Sequence, residues 1–295
     1  MNTSNFFMPS SGAQAPRMAF IGGGNMACAI LGGLIQQGLP ASHVQVVEPF
    51  APTAAKLKQE FGIQAMAQAQ PDLASAQMVV WAVKPQVFRE AALPVAPLTT
   101  HALHVSVAAG IPSSSIARWL RTDRVVRTMP NTPALVGQGI TAMFARDGVS
   151  QLDKSWAQQM MACTGESLWV TQESQLDAVT ALSGSGPAYV FYFLEAMTQA
   201  GVQMGLSSEQ AYHLATATFA GATHLAIQSD ESPEVLRERV TSKGGTTYAA
   251  LSAMMQSNVK ESFVQAMLAA LPARWRVGPG VWQRLSLLLF SLRGN

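Results

Sequence analysis

A glycine-rich turn near the beginning of the chain limits the folds that the rest of it can adopt. The apolar run Met18–Ile21 has the composition of a buried strand, and it stops at residues 22–27, Gly-Gly-Gly-Asn-Met-Ala. Apolar residues then recur at helical spacing as far as Gly38. A strand, the spacing G-x-G-x-x-A and a helix form the first turn of a doubly wound α/β sheet that binds a dinucleotide. The sequence therefore predicts this Rossmann fold for the first part of the chain.

Each small residue of the motif has a physical role in such a turn. Gly22 permits the tight turn, Gly24 lets the backbone approach a pyrophosphate, and Ala27 lets the helix pack closely on the strand. The alternative is a glycine-rich turn that arises by chance. The position of the motif, between a strand and a helix and near the start of an alternating β/α region, favours cofactor binding.

An acidic residue follows the second predicted strand. The strand covers residues 44–47 and ends in Glu48, which stands 24 positions after Gly24, about where such folds place the acid that contacts the ribose. A carboxylate there would hydrogen-bond a ribose diol and repel a 2′-phosphate, which favours NAD, and the nearest following cation is Lys56. The alternative is that Glu48 points to solvent. The choice between NADPH and NADH therefore stays open.

The alternation of strands and helices continues as far as residue 172. We predict a helix over 53–61 ended by Gly62, strands over 78–83, 103–107, 140–144 and 168–170, and a helix over 152–163. Lys84 follows the strand 78–83 and would lie at the cofactor edge of the sheet, unless it is an ordinary solvated lysine. Asn131 stands between Pro130 and Pro133 in a rigid loop at another strand end.

From Glu173 onward the pattern is helical. The helix that begins near Pro187 is apolar on nearly every side, so we expect it to be buried. Further helices are predicted over 211–227, opened by Ser207, and from Pro233.

A second glycine-rich stretch opens a late helix. Gly244 and Gly245 lie between Ser242 and the hydroxyl pair Thr246 and Thr247, and a helical pattern follows. A loop of this kind can direct several N–H groups at one point, and the start of a helix adds free donors and the positive end of its dipole. The stretch therefore indicates a site for a carboxylate or phosphate. The alternative is that Thr246 simply caps the helix.

Composition excludes several other classes of function. A formal net charge of +2 over 295 residues, without a Lys/Arg cluster, argues against nucleic acid. No apolar run reaches the roughly 18 residues that span a membrane, and residues 1–16, which do not resemble a secretory signal, are expected to be a disordered extension. Five histidines and two cysteines without ligand spacing predict no metal site and two thiols in a reducing cytoplasm. Only 12% of the residues are charged, which is typical of an intertwined oligomer, although a large monomer would also fit.

Five segments in this order resemble the Δ1-pyrroline-5-carboxylate reductases. They are Phe-Ile-Gly-Gly-Gly-Asn-Met at 20–26, Ala-Val-Lys-Pro-Gln at 82–86, Met-Pro-Asn-Thr-Pro at 129–133, Asp-Ala-Val-Thr-Ala-Leu-Ser-Gly-Ser-Gly-Pro-Ala-Tyr at 177–189, and Arg-Val-Thr-Ser-Lys-Gly-Gly-Thr-Thr at 239–247. The resemblance covers residues 18–271. It implies reduction of 1-pyrroline-5-carboxylate, a cyclic imino acid, to L-proline by NADPH or NADH, the last step of proline biosynthesis.

The resemblance also implies an architecture. A Rossmann domain over 17–172 precedes an all-helical domain over 173–271 that binds substrate and interleaves with a second subunit, which gives homodimers and often a decamer of five dimers. The tail over 272–295 lacks the closing helix of the family.

Site residues follow from matching positions. The substrate carboxylate would rest on Ser242 and on the N–H groups of Gly245 and Thr246, while Thr247 would hydrogen-bond the ring nitrogen as the catalytic residue. Glu173 and Asp230 match acidic positions near the substrate. The motifs and the resemblance together predict a cofactor site formed by Gly22, Gly24, Asn25, Met26, Glu48, Ala82, Val83, Lys84, Pro85 and Asn131. Lys243 departs from the family, which usually has proline there.

Two other functions compete with this one. A hydroxyacid reductase on the same plan would want a lysine base on the helix over 188–204, and that segment has no lysine. A non-catalytic module that senses NAD(P) would not need the loop over 242–247, which indicates a small anionic substrate.

Overall fold

The computed structural model describes residues 16–275, with side chains described from residue 16 to residue 271. The expected extension over 1–16 therefore lies outside the described residues except for Pro16, and the tail over 272–295 lies outside them beyond residue 275.

Seven strands form a single sheet in the order β2-β1-β3-β4-β5-β6-β7. Their bounds are β1 (Met18–Ile21), β2 (Val44–Val47), β3 (Met78–Trp81), β4 (Leu103–Ser106), β5 (Val125–Met129), β6 (Gly139–Ala145) and β7 (Gly165–Trp169). Neighbouring strands are parallel except β5 and β6, which are antiparallel. Only a short loop connects β5 to β6, and it leaves no room for the crossover that a parallel pair requires. The arrangement confirms the predicted doubly wound α/β sheet.

Helices cover both faces of the sheet. They are α1 (Asn25–Gln36), α2 (Ala51–Phe61), α3 (Phe88–Val95), α4 (Ser113–Leu120) and α5 (Gln151–Ala162). Because successive side chains of a strand point to opposite faces, Phe20 enters one apolar core with Leu31 of α1, whereas Ile21 enters the other with Phe88 of α3. Burial on both faces explains the continuous apolar strands of the sequence.

The short helix α6 (Gln175–Val179) continues into one turn of π-helix, Thr180–Gly184. The chain divides into two compact units after Gly184, and the second unit is Ser185–Ala270. The expected domain boundary at 172/173 lies earlier. Residues 173–184 stay with the first unit because α6 packs against β5 and β6.

The second unit is helical. It contains α7 (Gly186–Gln203), α8 (Ser208–Gln228), α9 (Pro233–Arg239) and α10 (Thr246–Gln256), followed by α11 (Val259–Trp275). Ser207 caps α8 by accepting a hydrogen bond from the N–H of Gln210, as its position in the sequence predicted. None of the described helices is long and apolar enough to cross a membrane.

The expectation that α7 is buried is wrong for the single chain. Phe191 and Tyr192 are 59% and 69% exposed. On other sides of the helix, Gly201 packs against Ala211 of α8, and Phe193 meets Phe263 of α11 edge-on. An apolar helix face that its own chain leaves exposed is typical of an interface with another subunit.

Candidate active site

The glycine turn has the geometry that a pyrophosphate requires. Gly22 has φ +93°, and a Cβ there would stand 2.6 Å from the carbonyl oxygen of Ala82. A Cβ at Gly24 would have no atom of the described residues within 4 Å. Gly24 precedes α1 and has no side chain to cap the N–H groups of the first turn, which are therefore available to an anion.

A cleft of about 540 Å³ lies at the carboxyl ends of β1, β2 and β3. Six of the ten predicted cofactor residues line it, namely Gly22, Gly24, Glu48, Ala82, Val83 and Lys84. Asn25 and Met26 are the first two residues of α1, beside the turn, and Pro85 opens a 3-10 turn directly after Lys84. The open glycine turn and a cleft of this position and size fit a dinucleotide.

The cleft also includes residues that the sequence analysis missed. Ala67, Gln68 and Ala69 line it because Met66 pairs with Val47 beside β2. An isolated bridge between two residues has no periodic sequence pattern, so the sequence analysis could not predict that residues 67–69 line the cleft.

Glu48 is not directed to solvent. Its side chain is half-buried, Oε2 accepts a hydrogen bond from the Gly23 N–H at 2.8 Å, and Oε1 accepts one from the Phe50 N–H at 2.8 Å. The carboxylate therefore connects the end of β2 to the glycine turn.

Asn131 lies outside the described cleft lining, after the end of β5. Its Oδ1 accepts a hydrogen bond from the Ile140 N–H at 3.0 Å, and its Nδ2 donates to Ser183 Oγ at 3.3 Å. Ser183 belongs to the π-helical turn, a feature that is frequent at functional sites. The sequence analysis gave Ser183 no role, because a π-turn has no distinct residue signature.

Glu173 is held by the first unit. Its carboxylate accepts hydrogen bonds from the N–H and Oγ of Ser113, each at 2.6 Å, and from Arg127 Nη1 at 2.8 Å. Partial burial alone would raise the pKa of the Glu173 carboxyl, but these hydrogen bonds and the Arg127 charge outweigh it and hold the pKa below its ordinary value. The Arg127 side chain is 3% exposed, so this buried cation has the partly exposed Glu173 as its counter-ion. Contact between Glu173 and substrate stays a prediction.

The predicted anion loop lies at the start of α10. Gly244 is left-handed, with φ +78°, and the helix begins at Thr246 after Gly245. The interpretation of Thr246 as the cap is wrong, because the cap position belongs to Gly245, which has no side chain. The Gly245 N–H donates to the Ser242 carbonyl oxygen at 3.0 Å and closes a turn. The expected donation from Gly245 to a carboxylate is therefore not available in this conformation. The open donors of the first turn are the N–H groups of Thr246, Thr247 and Tyr248.

The other residues of the second unit that were predicted to bind substrate lie near the start of α10 along the chain. Ser242, Lys243 and Thr247 are exposed, as is Asp230 after α8. Arg239, the last residue of α9, forms an ion pair with Glu231 and so ties the segment before the loop to the turn that contains Asp230. Among the described residues, no group of three or more histidine, cysteine or acidic side chains could hold a metal ion.

The dinucleotide cleft and the helical unit that follows it define an NAD(P)-dependent oxidoreductase. Residues 17–110 match the family model described as NADP oxidoreductase coenzyme F420-dependent, and residues 173–274 match the one described as Pyrroline-5-carboxylate reductase dimerisation. The chain is 45% identical over 261 residues to a pyrroline-5-carboxylate reductase of Pseudomonas aeruginosa, an alignment that covers 88% of this chain and 95% of that protein. It therefore belongs to the pyrroline-5-carboxylate reductase family.

Two solved structures support this membership. The pyrroline-5-carboxylate reductase from Coxiella burnetii has a TM-score of 0.84 at 34% identity, over 90% of this chain and 100% of its own. The Plasmodium falciparum pyrroline carboxylate reductase, solved with NADP bound, has a TM-score of 0.80 at 26% identity, over 91% and 100%. These matches confirm the resemblance and the fold class. The family reduces pyrroline-5-carboxylate to proline, the last step of proline biosynthesis.

Proposed function

We propose that this chain reduces 1-pyrroline-5-carboxylate to L-proline with NADPH or NADH. In this proposal residues 17–172 bind the cofactor, and residues 173–271 bind the substrate and the partner subunit. The observation that carries it is the uncapped start of α10 directly after the left-handed Gly244, in a chain of this family. An N-terminus of this kind favours a carboxylate, which is the negative group of the substrate.

The substrate carboxylate would accept hydrogen bonds from the Ser242 hydroxyl and the Thr246 N–H. Gly245 would contribute by its missing side chain, because its N–H closes the loop onto Ser242. Thr247 would donate or accept at the ring nitrogen and orient the C=N bond. Asp230 and Glu173 complete the proposed substrate side, and Asn25, Met26, Pro85 and Asn131 complete the proposed cofactor side.

The reaction needs little acid–base chemistry from the protein. A reduced nicotinamide, when bound, supplies the hydride. Hydride addition to the imine carbon moves the C=N electron pair onto nitrogen, which takes a proton from water or enters already protonated. The work of the chain is to hold the imine and exclude unproductive orientations.

Assembly follows from the helical unit. Its match to a dimerisation model indicates a homo-oligomer, and we propose a dimer that assembles further into a decamer. Light scattering coupled to gel filtration will distinguish two subunits of 31.4 kDa from ten. The cytoplasmic location predicted from the sequence is part of the same proposal.

The activity is tested by mixing the purified protein with NADPH or NADH and then adding pyrroline-5-carboxylate. We expect the near-ultraviolet absorbance of the reduced nicotinamide to fall only after that addition, with L-proline formed in equal amount. Tight binding of cofactor without turnover would instead favour the sensing module.

A further inference from the structure

Glu48 closes the β2 side of the cofactor cleft. The Gly23 and Phe50 N–H groups donate to its two carboxylate oxygens at 2.8 Å, so the negative charge has a defined place at the end of β2. In doubly wound folds this is where an acid contacts the adenosine ribose of NAD, or where a nearby arginine accommodates the 2′-phosphate of NADP.

The loop after Glu48 has no cationic side chain that could bind a phosphate. Residues 49–55 contain no Lys, Arg or His. Pro49 and Pro52 have no N–H, and the Phe50 N–H is already donated to Glu48. The uncapped start of α2 leaves the Ala51 and Thr53 N–H groups as donors, so a 2′-phosphate would meet two amides there but no cation.

Lys56, the next cation in the sequence, does not line the cofactor cleft. Lys56 lines a separate cavity together with Cys28 and Glu60, and its Nζ is 3.9 Å from Glu60 Oε1. Among the described residues that line the cofactor cleft, Lys84 is the one cation, and Glu48 and Glu90 are acids. The ionisable lining is thus negative on balance.

We propose that Glu48 selects the cofactor and that this chain binds NADH in preference to NADPH. The inference rests on the proposed function and names the cofactor that the function uses. The Plasmodium falciparum relative was solved with NADP bound, so a preference for NADH here would be a property of this chain's own β2 end.

The two roles of Glu48 have separable consequences. Its hydrogen bond to Gly23 supports the turn that both cofactors use, whereas its charge opposes only the 2′-phosphate. Glu48→Gln keeps the size and one acceptor oxygen but removes the charge. The informative quantity is therefore the ratio of the two dissociation constants and not either one alone.

The test is equilibrium binding of NAD⁺ and NADP⁺ by titration calorimetry, without substrate. We expect the unsubstituted protein to bind NAD⁺ about tenfold or more tightly than NADP⁺, because like charges across a binding site cost affinity. Glu48→Gln should reduce that ratio by about fivefold or more. Glu60→Gln is the matched control, because it removes the same charge from α2 outside the cleft and should leave the ratio unchanged.

A second measurement needs no variant. Raising the ionic strength screens repulsion between Glu48 and the 2′-phosphate, so the preference for NAD⁺ should narrow with salt. If a cation held the phosphate, the preference would shift further toward NAD⁺. That shift, equal binding of the two cofactors, or a ratio that Glu48→Gln leaves unchanged would each overturn the proposal. Reduction of pyrroline-5-carboxylate without cofactor preference would sink this inference alone, and selective binding without turnover would sink only the proposed function.

Discussion

Thr247 occupies the second position of α10 and its side chain is exposed. We predict that Thr247→Val lowers kcat/KM for pyrroline-5-carboxylate, because the shape is kept and the hydrogen bond to the ring nitrogen is lost. The expected cost is about 1–3 kcal/mol, the cost of an unmade hydrogen bond. Steady-state kinetics will measure it, with Thr247→Ser as the control that retains the hydroxyl. A wild-type kcat/KM in the valine variant would remove Thr247 from the mechanism.

Glu173 gives a prediction about stability. In Glu173→Gln the buried Arg127 loses its counter-ion, and we expect the free energy of unfolding to fall by about 3 kcal/mol. This is the lower end of the range for a broken buried ion pair, because Glu173 is partly exposed. Denaturant unfolding near neutral pH will measure the loss. Glu166→Gln, on an exposed strand position, should change little. Because the pKa of Glu173 is lowered in the fold, its contribution is complete above the ordinary carboxyl range and is lost as pH falls below it.

At the scale of one element, two glycines in the turn between β1 and α1 have different roles: one is needed for stability and the other for dinucleotide binding. Gly24→Ala should leave the melting temperature nearly unchanged, because its Cβ meets open space, yet weaken dinucleotide binding by obstructing the pyrophosphate. Gly22→Ala should destabilise the protein, because φ is positive and the Cβ would collide with the Ala82 backbone. Calorimetric binding and thermal unfolding of both variants test this. Equal loss of stability in the two variants would contradict it.

The elements that the sequence predicted are those whose signals are local. The apolar runs of β1, β2 and β3 are almost entirely buried, and Gly62 ends α2 in a left-handed conformation with φ +68°. The strand predicted over 78–83 ends two residues earlier, at Trp81, and Pro85 then opens a 3-10 turn. No helix was predicted at α3 or α4, since Pro94 interrupts the former and the latter has only eight residues.

The site divides in the same way. The positions of the glycine turn and of the helix start at α10 were predictable because each is formed by consecutive residues, whereas anion binding at the loop before α10 stays a prediction. The Glu173 cluster was not, since it joins residues 60 and 46 positions apart, and neither pattern nor spacing encodes that contact.

At the scale of the whole molecule, pH should change stability through His104. The imidazole is fully buried, Nδ1 accepts from the Trp81 indole at 3.1 Å, and Nε2 lies 2.9 Å from the Thr99 carbonyl oxygen. Burial lowers the pKa of His104 from 6.5 to about 4. Between pH 6.5 and about 4, the unfolded chain binds a proton at His104 that the folded protein does not bind. The free energy of unfolding is therefore highest above pH 6.5 and falls as the pH decreases toward 4.

The expected loss is about 3 kcal/mol. Denaturant unfolding at several pH values in this range will measure the loss. His104→Gln should remove much of the dependence of the free energy of unfolding on pH. His101→Gln, an exposed histidine, should keep it.

The exposed apolar face of α7 leads to a prediction about assembly. Phe191→Asp should shift the protein to a smaller assembly, because a charge at a subunit interface loses hydration without a partner. Light scattering will give the mass. Leu93→Asp on α3, 65% exposed in the first unit, is the matched control and should leave the mass unchanged. An unaltered mass for Phe191→Asp would show that this part of α7 lies outside the interface.

The partial burial of both cysteines has a practical consequence. Desolvation raises the pKa of Cys28 above its ordinary value and that of Cys163 to about 12, which lowers the fraction of each thiol that is ionised at neutral pH. Thiolates, not thiols, react with alkylating reagents and disulfides. A fluorophore or spin label directed to a newly introduced exposed cysteine, for example on the loop before α10, should therefore react there faster than at either native sulfur.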